Sequence, residues 1–306
     1  MTSLLIAFFA SFLASILIIR TQNLHGRLSG DVDFDGPQKF HSRVVPRVGG
    51  VAIGVAIFSA IVFCLQDGSE NIQELFLLTS ALPVFGIGIA EDLTKKVSVR
   101  TRLIFTAVGA LIAILLLGIG IEKLDIIGVD YLMAIPIISI AFTVFAITGL
   151  ANAYNIIDGF NGLASGFVVI ALGGLAAVAA VVGDMNLAIA CAAIAAAMMG
   201  FWLINWPWGK LFLGDGGSYF GGFALAWASV LLIERNHGVS AFVPLLICIH
   251  PVTEVLFSIY RRRVTHTSPG APDRLHLHTL MMRRVVSPWL VRLYPNEPAL
   301  ARLLRN

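Results

Sequence analysis

The sequence predicts an all-α, polytopic integral membrane helix bundle with about nine transmembrane helices and its N-terminus outside the cell. Three observations lead to this prediction. Hydrophobic residues make up 58% of the 306 residues and charged residues only 13%, whereas soluble domains carry about 25% charged residues. The apolar residues form runs near the roughly 20 residues that cross a bilayer. The basic residues collect in alternate connections between these runs.

Nine apolar runs, taken in order along the chain, are the predicted spans. The third and the eighth are short, which is typical of helices whose ends enter polar loops lined by protein. The first run has no lysine or arginine before it, so we expect a retained helix rather than a signal peptide. The predicted spans are Leu4–Ile19, Val48–Leu65, Leu75–Ala90, Leu103–Ile121, Leu132–Thr148, Leu163–Val182, Leu187–Ile204, Tyr219–Ile233 and Ala241–Tyr260.

Basic residues are divided unevenly between the two sides that these spans define. One side holds 19 of the 21 lysines and arginines, and the other holds only Lys123 and Arg235. By the positive-inside rule the basic side is cytoplasmic. We therefore expect the lipid bilayer as a partner and no nucleic acid. The basic side consists of residues 20–47, 91–102, 149–162, 205–218 and 261–306.

The unusual polar clusters of the sequence all fall in connections on this basic side. A transport protein usually has its polar residues near the bilayer midplane, between broken helices. Polar residues gathered at one surface instead favour chemistry at the boundary between membrane and cytoplasm. The clusters are DVDFDGPQKFHSRVVPRVGG, EDLTKKVSVRTR, NAYNIIDGFNG, NWPWGKLFLGDGGS and RRRVTHTSPGAPDRLHLHT.

Four acidic residues lie at the ends of predicted spans on that side. Glu91 and Asp92 end the third span, Asp158 follows the fifth, and Asp215 lies between the seventh and eighth. Mg²⁺ usually binds one or two carboxylates and leaves its other positions to water and substrate phosphates. We therefore expect these acids to converge on a hard divalent cation. For any one acid alone, a turn or a helix cap is the plainer alternative.

Basic residues of the same loops are suited to hold a phosphate group. His41 and Arg47 lie in the first loop, and Arg274, His276 and His278 lie in the last. Attraction to anionic lipid is the alternative for the arginine run that precedes the last loop. Zinc binding by the two neighbouring histidines is a further alternative, but no cysteine or additional histidine cluster supports it.

Two features stay open between a structural and a functional interpretation. The segment GDGGS precedes a predicted helix, so its backbone N–H groups could receive an anion, or it is a flexible turn. Glu254 is the acid that lies well inside a span, and His250 lies one helical turn before it. Because ionisable residues within membranes are usually paired or functional, a His250–Glu254 pair and a catalytic role are both retained.

The polar loops together resemble a known family of membrane enzymes. NAYNIIDGFNGLASG resembles the family's Asn-x-x-Asn-x-x-Asp-Gly-x-Asp-Gly loop, and FLGDGGSYFGG resembles its Phe-x-Gly-Asp-x-Gly-Ser-x-x-x-Gly loop. GIAEDLTKKVSVRTRL, KFHSRVVPRVGG and SPGAPDRLHLHT match its acidic pair, its first loop and its histidine loop. The five segments occur in the family's order. The family is that of the polyprenyl-phosphate N-acetylhexosamine-1-phosphate transferases, a cousin of the phospho-N-acetylmuramoyl-pentapeptide transferase.

This resemblance implies an activity and a location. The activity is transfer of N-acetylhexosamine-1-phosphate from a UDP-sugar to undecaprenyl phosphate, with release of UMP. It would initiate O-antigen or other cell-surface polysaccharide synthesis, since SPGAPDR resembles that branch. The implied cofactor is Mg²⁺, with Mn²⁺ as a substitute metal. The implied location is the bacterial inner membrane with the site facing the cytoplasm, and a homodimer is left open.

The resemblance also implies roles for individual residues. Phe212 stands at a position that stacks on uracil, and the 91–92 pair at one with a base or metal-positioning role. The implied catalytic residues are Glu91, Asp92, Asp158, His276 and His278, and the implied metal ligands are Asp215 and Asp92. The implied substrate-binding residues are Asn155, Asn161, Asn205, Phe212, His41, Arg47 and Arg274.

Four features depart from the family pattern. Glu91 and Asn161 each replace an aspartate, and Thr279 replaces the last histidine of the histidine loop. The chain also ends soon after that loop, so we expect 281–306 to be a short cytoplasmic or surface-lying tail of a single catalytic domain, 1–306. The alternatives to the enzyme are a non-enzymatic transporter or flippase of polyprenyl-linked glycans, and an inactive homologue.

Overall fold

The structure, a computed structural model, describes residues 1–31, 44–66, 72–266 and 275–293. Most of these residues are helical, which confirms the all-α prediction. The helices are α1 (Thr2–Arg20), α2 (Gln22–Ser29), α3 (Gly49–Gln66), α4 (Ile72–Thr94), α5 (Val99–Leu117), α6 (Asp130–Met133), α7 (Pro136–Ile157), α8 (Leu163–Val181), α9 (Met185–Asn205), α10 (Gly214–Arg235), α11 (Phe242–Ile247), α12 (Ile249–Val264), α13 (Leu277–Met281) and α14 (Ser287–Leu293). Two short strands, β1 (Gly30–Asp31) and β2 (Val45–Pro46), pair antiparallel.

The described helices form a multi-pass membrane protein. Seven of them, α1, α4, α5, α7, α8, α9 and α10, are long and apolar enough to cross a membrane. Helix α3 is apolar through Leu65 but shorter. The predicted ninth span, Ala241–Tyr260, is divided at Cys248 into α11 and α12. The class of fold is therefore confirmed, and the count of nine spans is not.

Two helices extend beyond the ends that hydropathy predicted. Helix α7 continues from Thr148 to Ile157, and α10 begins at Gly214 instead of Tyr219. The two spans predicted to be short, α4 and α10, have 23 and 22 residues. Polar residues at these helix ends face neighbouring helices, which satisfy their hydrogen bonds. Hydropathy alone takes these polar residues as the end of a span. The prediction of short spans was wrong for this reason.

Helix α10 is the central helix of the bundle. In its membrane-spanning stretch 83% of the residues are buried inside the protein. In the other six long helices the buried share is only 22–39%. It packs against α3, α4, α7 and α8, and its aromatic residues Tyr219, Phe223 and Trp227 are buried. The other helices therefore turn a large apolar face outward, as lipid-facing helices do.

Helices α4 and α10 approach each other closely where α4 ends and α10 begins. A Cβ atom added to Gly88 would lie 2.6 Å from the Cα atom of Gly216, so this contact requires glycine. Gly214, the first residue of α10, has a φ of +74°, in the left-handed region that favours glycine. The glycines of GDGGS thus belong to the first turn of a buried helix and not to a flexible loop.

Backbone hydrogen bonds attach the segment before α10 to β2 and to the start of α3. The Phe212 N–H donates to Pro46 O, and the Phe212 carbonyl accepts from the Gly49 N–H, both at 2.9 Å. The Gly50 N–H donates to Leu213 O at 2.9 Å. Because β2 is held in this way, the residue that follows it, Arg47, lies beside the first turn of α10.

The last described helices, α13 and α14, lie at the end of the molecule where α10 begins. A π-helical turn, Met282–Val286, joins α13 to α14. Apolar side chains are exposed in a row along this continuous helix, namely Leu277, Met281, Val285, Trp289 and Leu293. Such a row is typical of a helix that lies on a membrane surface. The surface-lying tail stays a prediction, and 294–306 fall outside the described residues.

Candidate active site

Asp215 lies in the first turn of α10 and is held there by Asp92. The Asp92 carboxylate is fully buried and accepts two backbone hydrogen bonds, from the Asp215 N–H at 2.7 Å and the Gly216 N–H at 2.9 Å. The residue before α10, Leu213, makes no side-chain cap bond. Asp92 of α4 therefore caps the N-terminus of α10, although Asp92 and Asp215 are far apart in sequence. The helix dipole at this N-terminus also favours a negative charge on Asp92.

The Asp215 carboxylate lies among cationic and amide groups from three other elements. Its Oδ2 accepts a hydrogen bond from Arg102 of α5. Its Oδ1 is 3.5 Å from the guanidinium of Arg47 and 3.3 Å from Nδ2 of Asn155 on α7. Asn155 also donates to the buried Ser218 hydroxyl at 2.8 Å. Of the predicted site residues, Asp92, Asp215, Asn155 and Arg47 are thus brought together.

Arg102 is a site residue that the sequence predictions did not include. It was counted among the basic residues of the 91–102 loop, and it ends the Ser-x-x-x-Arg part of a family segment, so a signal was present. Its guanidinium lies 5.7 Å from the ring centre of Tyr219. Its Nε is buried and has no hydrogen-bond partner among the described residues. Arg102 therefore has a donor left for a ligand oxygen.

The loop between α7 and α8 carries Asp158 and Asn161. Asp158 follows α7 directly and is half-buried. Burial raises the pKa of Asp158 to about 7, while the Arg47 charge acts in the opposite direction. Asn161 lies beside Gly209, since a Cβ atom added to that glycine would lie 2.5 Å from Asn161 Nδ2. The Asp158–Gly162 segment therefore faces the segment before α10.

Asn205 joins these two segments. Its Oδ1 accepts from the Gly162 N–H at 2.5 Å, and its Nδ2 donates to Leu211 O at 2.8 Å. The side chain is buried, so both ends of its amide are used within the protein. The predicted contact of Asn205 with the donor stays a prediction. The same holds for the half-buried Phe212, whose backbone is paired with β2 and α3.

Glu91 and Asp92 are adjacent but serve different parts of the structure. Glu91 Oε2 accepts a hydrogen bond from the Val97 N–H at 2.7 Å, within the α4–α5 connection. Successive residues on a helix point in different directions, and it is Asp92 that accepts the backbone N–H groups of α10. The catalytic role implied for Glu91 stays a prediction.

The two histidines of the last loop are both buried against Glu254 of α12. His276 Nδ1 lies 3.3 Å from Glu254 Oε2, and His278 Nδ1 lies 3.3 Å from Oε1. The expected partner, His250, instead packs its ring against Phe167 at 5.9 Å. The two other predicted residues of these basic loops, His41 and Arg274, fall outside the described residues.

The carboxylates do not converge on one point as expected. Among the described residues, no three of the histidine, cysteine, aspartate and glutamate side chains are grouped so that they could hold one metal ion. The physical reason is that Asp92 and Glu91 accept hydrogen bonds from backbone N–H groups in different parts of the structure. The expectation of a four-acid cluster is therefore wrong for the described residues.

A magnesium site based on Asp215 alone does fit the side chains. Mg²⁺ commonly takes one protein carboxylate and keeps its other positions for water and phosphate. The contacts of Asp215 Oδ1 are long, at 3.3 and 3.5 Å, so this oxygen can still take a shorter bond to a cation. Asp92 is fully enclosed and already bonded, and its predicted metal contact stays a prediction.

The sequence is similar to those of a known family of enzymes. A sequence model of the family described as glycosyl transferase family 4 matches residues 74–233. This range includes α5 and α7 and nearly all of α4 and α10, and these four helices carry Asp92, Arg102, Asn155 and Asp215. It ends before α12 and the histidine segment.

Named relatives extend the match to most of the chain. A probable undecaprenyl-phosphate N-acetylglucosaminyl 1-phosphate transferase of Bacillus subtilis is 30% identical over 295 residues, 92% of this chain and 78% of the relative. An undecaprenyl-phosphate alpha-N-acetylglucosaminyl 1-phosphate transferase of Yersinia pestis is 28% identical over 83% of this chain and 70% of its own length. One of Salmonella typhi is 29% identical with the same coverage. This chain belongs to glycosyl transferase family 4, in the group of the polyprenyl-phosphate N-acetylhexosamine-1-phosphate transferases.

Proposed function

We propose that this chain transfers an N-acetylhexosamine-1-phosphate unit from a UDP-sugar to undecaprenyl phosphate and releases UMP. The observation that carries the proposal is the Asp215 carboxylate, fixed at the N-terminus of α10 by Asp92 and surrounded by Arg47 and Arg102. The named relatives are transferases of this kind. N-acetylglucosamine is the first donor sugar to test, because their names specify it.

The residues supply what phosphoryl transfer between two anions requires. Such reactions depend on positioning and charge neutralisation more than on covalent chemistry by the protein. Arg47 can neutralise and orient phosphate oxygens, and so can Arg102, whose Nε has no hydrogen-bond partner among the described residues. The helix N-terminus adds partial positive charge at the same place. Asp215 would hold Mg²⁺ or Mn²⁺, and the metal would supply further charge neutralisation on the donor diphosphate.

The position of the site suits a water-soluble donor and a lipid acceptor. Asp92, Asp158 and Asp215 lie at the ends of α4, α7 and α10, on the side that carries most of the basic residues. By the positive-inside rule this side faces the cytoplasm of a bacterial inner membrane. An acceptor phosphate can reach Arg47 and Arg102 there while its prenyl chain stays beside the apolar faces of the bundle.

One assay tests the proposal. Purified protein is mixed with UDP-N-acetylglucosamine, undecaprenyl phosphate and MgCl₂, and the release of UMP is followed. We expect UMP release that requires both substrates and is lost with EDTA. Asp215→Asn should reduce the rate by about 100-fold or more, the order observed when an electrostatic contact to a transition state is removed.

A matched control is Glu122→Gln, an exposed acid on the opposite side of the membrane, which should keep the wild-type rate. If no UDP-N-acetylhexosamine supports UMP release, the protein is a transporter or an inactive homologue. Undiminished activity in Asp215→Asn would show that the metal and the charge are held elsewhere.

A further inference from the structure

Glu254 contacts both histidines of the last loop through both of its carboxylate oxygens. Oε2 lies 3.3 Å from His276 Nδ1. Oε1 lies 3.3 Å from His278 Nδ1 and accepts the His278 backbone N–H at 3.2 Å. Glu254 and His276 are 4% exposed and His278 is 9% exposed. The three side chains therefore form a buried group, shielded from water, which joins α12 to α13.

This geometry determines which ring nitrogen of each histidine faces Glu254. A backbone N–H can only donate, so Oε1 is an acceptor where it meets His278. When Glu254 is ionised, Oε2 also has no proton and can only accept, so each Nδ1 carries the proton and each Nε2 is left as the opposite end of the ring. The two imidazoles are stacked, with ring centres 5.3 Å apart and planes inclined by 5°. Both rings are therefore held in one orientation.

The opposite end of the His278 ring faces the loop that carries Asp158. A Cβ atom added to Gly159 would lie 2.8 Å from His278 Nε2, so a side chain at that position would block the nitrogen. The ring of Phe160 packs edge-on against His278, with ring centres 5.6 Å apart. Glu254 thus lies at the Nδ1 side of the imidazole, and the Asp158–Gly162 segment lies at its Nε2 side.

We infer that Glu254 is a positioning residue, which holds His276 and His278 as Nδ1–H tautomers and directs Nε2 of His278 at the Asp158–Gly162 segment. This inference rests on the proposed function only where it predicts an effect of Glu254 on the rate of UMP release. Carboxylates that fix the tautomer of a functional histidine are a common arrangement, and their loss usually costs about 10- to 100-fold in activity or affinity. Such a role accounts for an acid in the buried face of α12.

The first test is independent of catalysis. The imidazole ¹⁵N resonances of the detergent-solubilised full chain report the tautomer of each of its seven histidines, and His276→Asn and His278→Asn assign the two signals. We expect both to show the Nδ1–H tautomer in the wild type. In Glu254→Gln one acceptor becomes an amide donor, so at least one of the two histidines should change to the Nε2–H tautomer.

The second test is kinetic. If Glu254 acts through the histidines, Glu254→Gln should lower kcat about tenfold and change KM for the UDP-sugar less than twofold, when both proteins are assayed well below their thermal midpoints. Glu254→Asp, which keeps both acceptor oxygens, should recover part of kcat. Glu122→Gln is the control for the same chemical change at an exposed site.

The outcomes separate this inference from the proposed function. A wild-type spectrum with the Nε2–H tautomer at either histidine overturns the inference, even if no variant folds. Unchanged tautomers in Glu254→Gln also overturn it. If the tautomers behave as expected but the wild type releases no UMP, the positioning of the rings stands and the proposed function fails.

Discussion

At the scale of single residues, Asp92 and Asp215 carry the same carboxylate group in very different surroundings. Asp92 is enclosed and accepts two backbone N–H groups. Asp215 keeps one oxygen in loose contact with Arg47 and Asn155. The first residue is therefore fitted to fix a helix end, and the second is fitted to meet a ligand.

Asp92→Asn should destabilise the protein. Asparagine offers one acceptor oxygen, and its NH₂ group would face one of the two backbone N–H groups, leaving a buried donor unsatisfied. The loss in unfolding free energy is expected to be about 1–3 kcal/mol. A lowered midpoint of thermal unfolding in detergent checks this, with Glu122→Gln as the control. An unchanged midpoint would mean that Asp92 does not cap α10.

Asp158 should make stability depend on pH. Burial raises its folded pKa to about 7 from the usual value of 3.8, so between these values the folded state holds a proton that the unfolded state has lost. The unfolding free energy should therefore fall as pH rises from about 4 to about 7 and then level off. Thermal midpoints between pH 5 and 8 measure this fall, and Asp158→Asn should reduce it. Equal slopes in both proteins would contradict the prediction.

At the scale of helices, the sequence predicted which segments cross the membrane better than where they end. Apolar runs located the seven long spans because lipid-facing surface dominates their composition. The ends of α7 and α10 were missed because Asn152, Asn155 and Ser218 bond to neighbouring helices. Likewise, the family pattern indicated Asp215, but the partners of Glu254 depend on contacts between distant segments. No local pattern encodes such contacts.

The contact between α4 and α10 should tolerate no side chain at Gly88. In Gly88→Ala the new methyl group would lie 2.6 Å from backbone of α10, so the helices must separate and Asp92 must move from its two N–H partners. We expect a lower thermal midpoint and lower UMP release.

Gly86→Ala is a matched control on the same helix, since a Cβ atom there meets nothing within 4 Å. It should be neutral or stabilising by up to about 1 kcal/mol, the difference in helix propensity. Similar losses of thermal midpoint and UMP release in both variants would show that the close approach at Gly88 is not their cause.

At the scale of the whole molecule, the polar contacts of the site lie at one end of the bundle. Arg47, Asp92, Arg102 and Asp215 belong to different elements but meet at the ends of α4 and α10. The opposite end has its own acid–base contacts, such as Lys123 with Asp125 at 2.5 Å. The presence of ion pairs alone therefore does not distinguish the two ends, but the distribution of basic residues does.

Labelling should place these two ends on opposite sides of the membrane. Glu122→Cys and Lys96→Cys are both at exposed positions, and Cys191 and Cys248 are buried. In spheroplasts that carry a Cys64→Ala background, a membrane-impermeant maleimide should label Glu122→Cys directly. Lys96→Cys should react only after permeabilisation. The reverse pattern would put the site outside the cell and contradict the assigned topology.

The cap on α10 has a consequence for how the chain is made. Asp92 precedes the two N–H groups that it accepts by 123 and 124 residues. A ribosome therefore delivers α4, with a charged carboxylate at its end, long before the helix that satisfies it. During that interval water at the membrane surface must solvate Asp92 and Arg102. A nascent chain cut short before Gly214 would leave Asp92 and Arg102 without the partners that α10 provides.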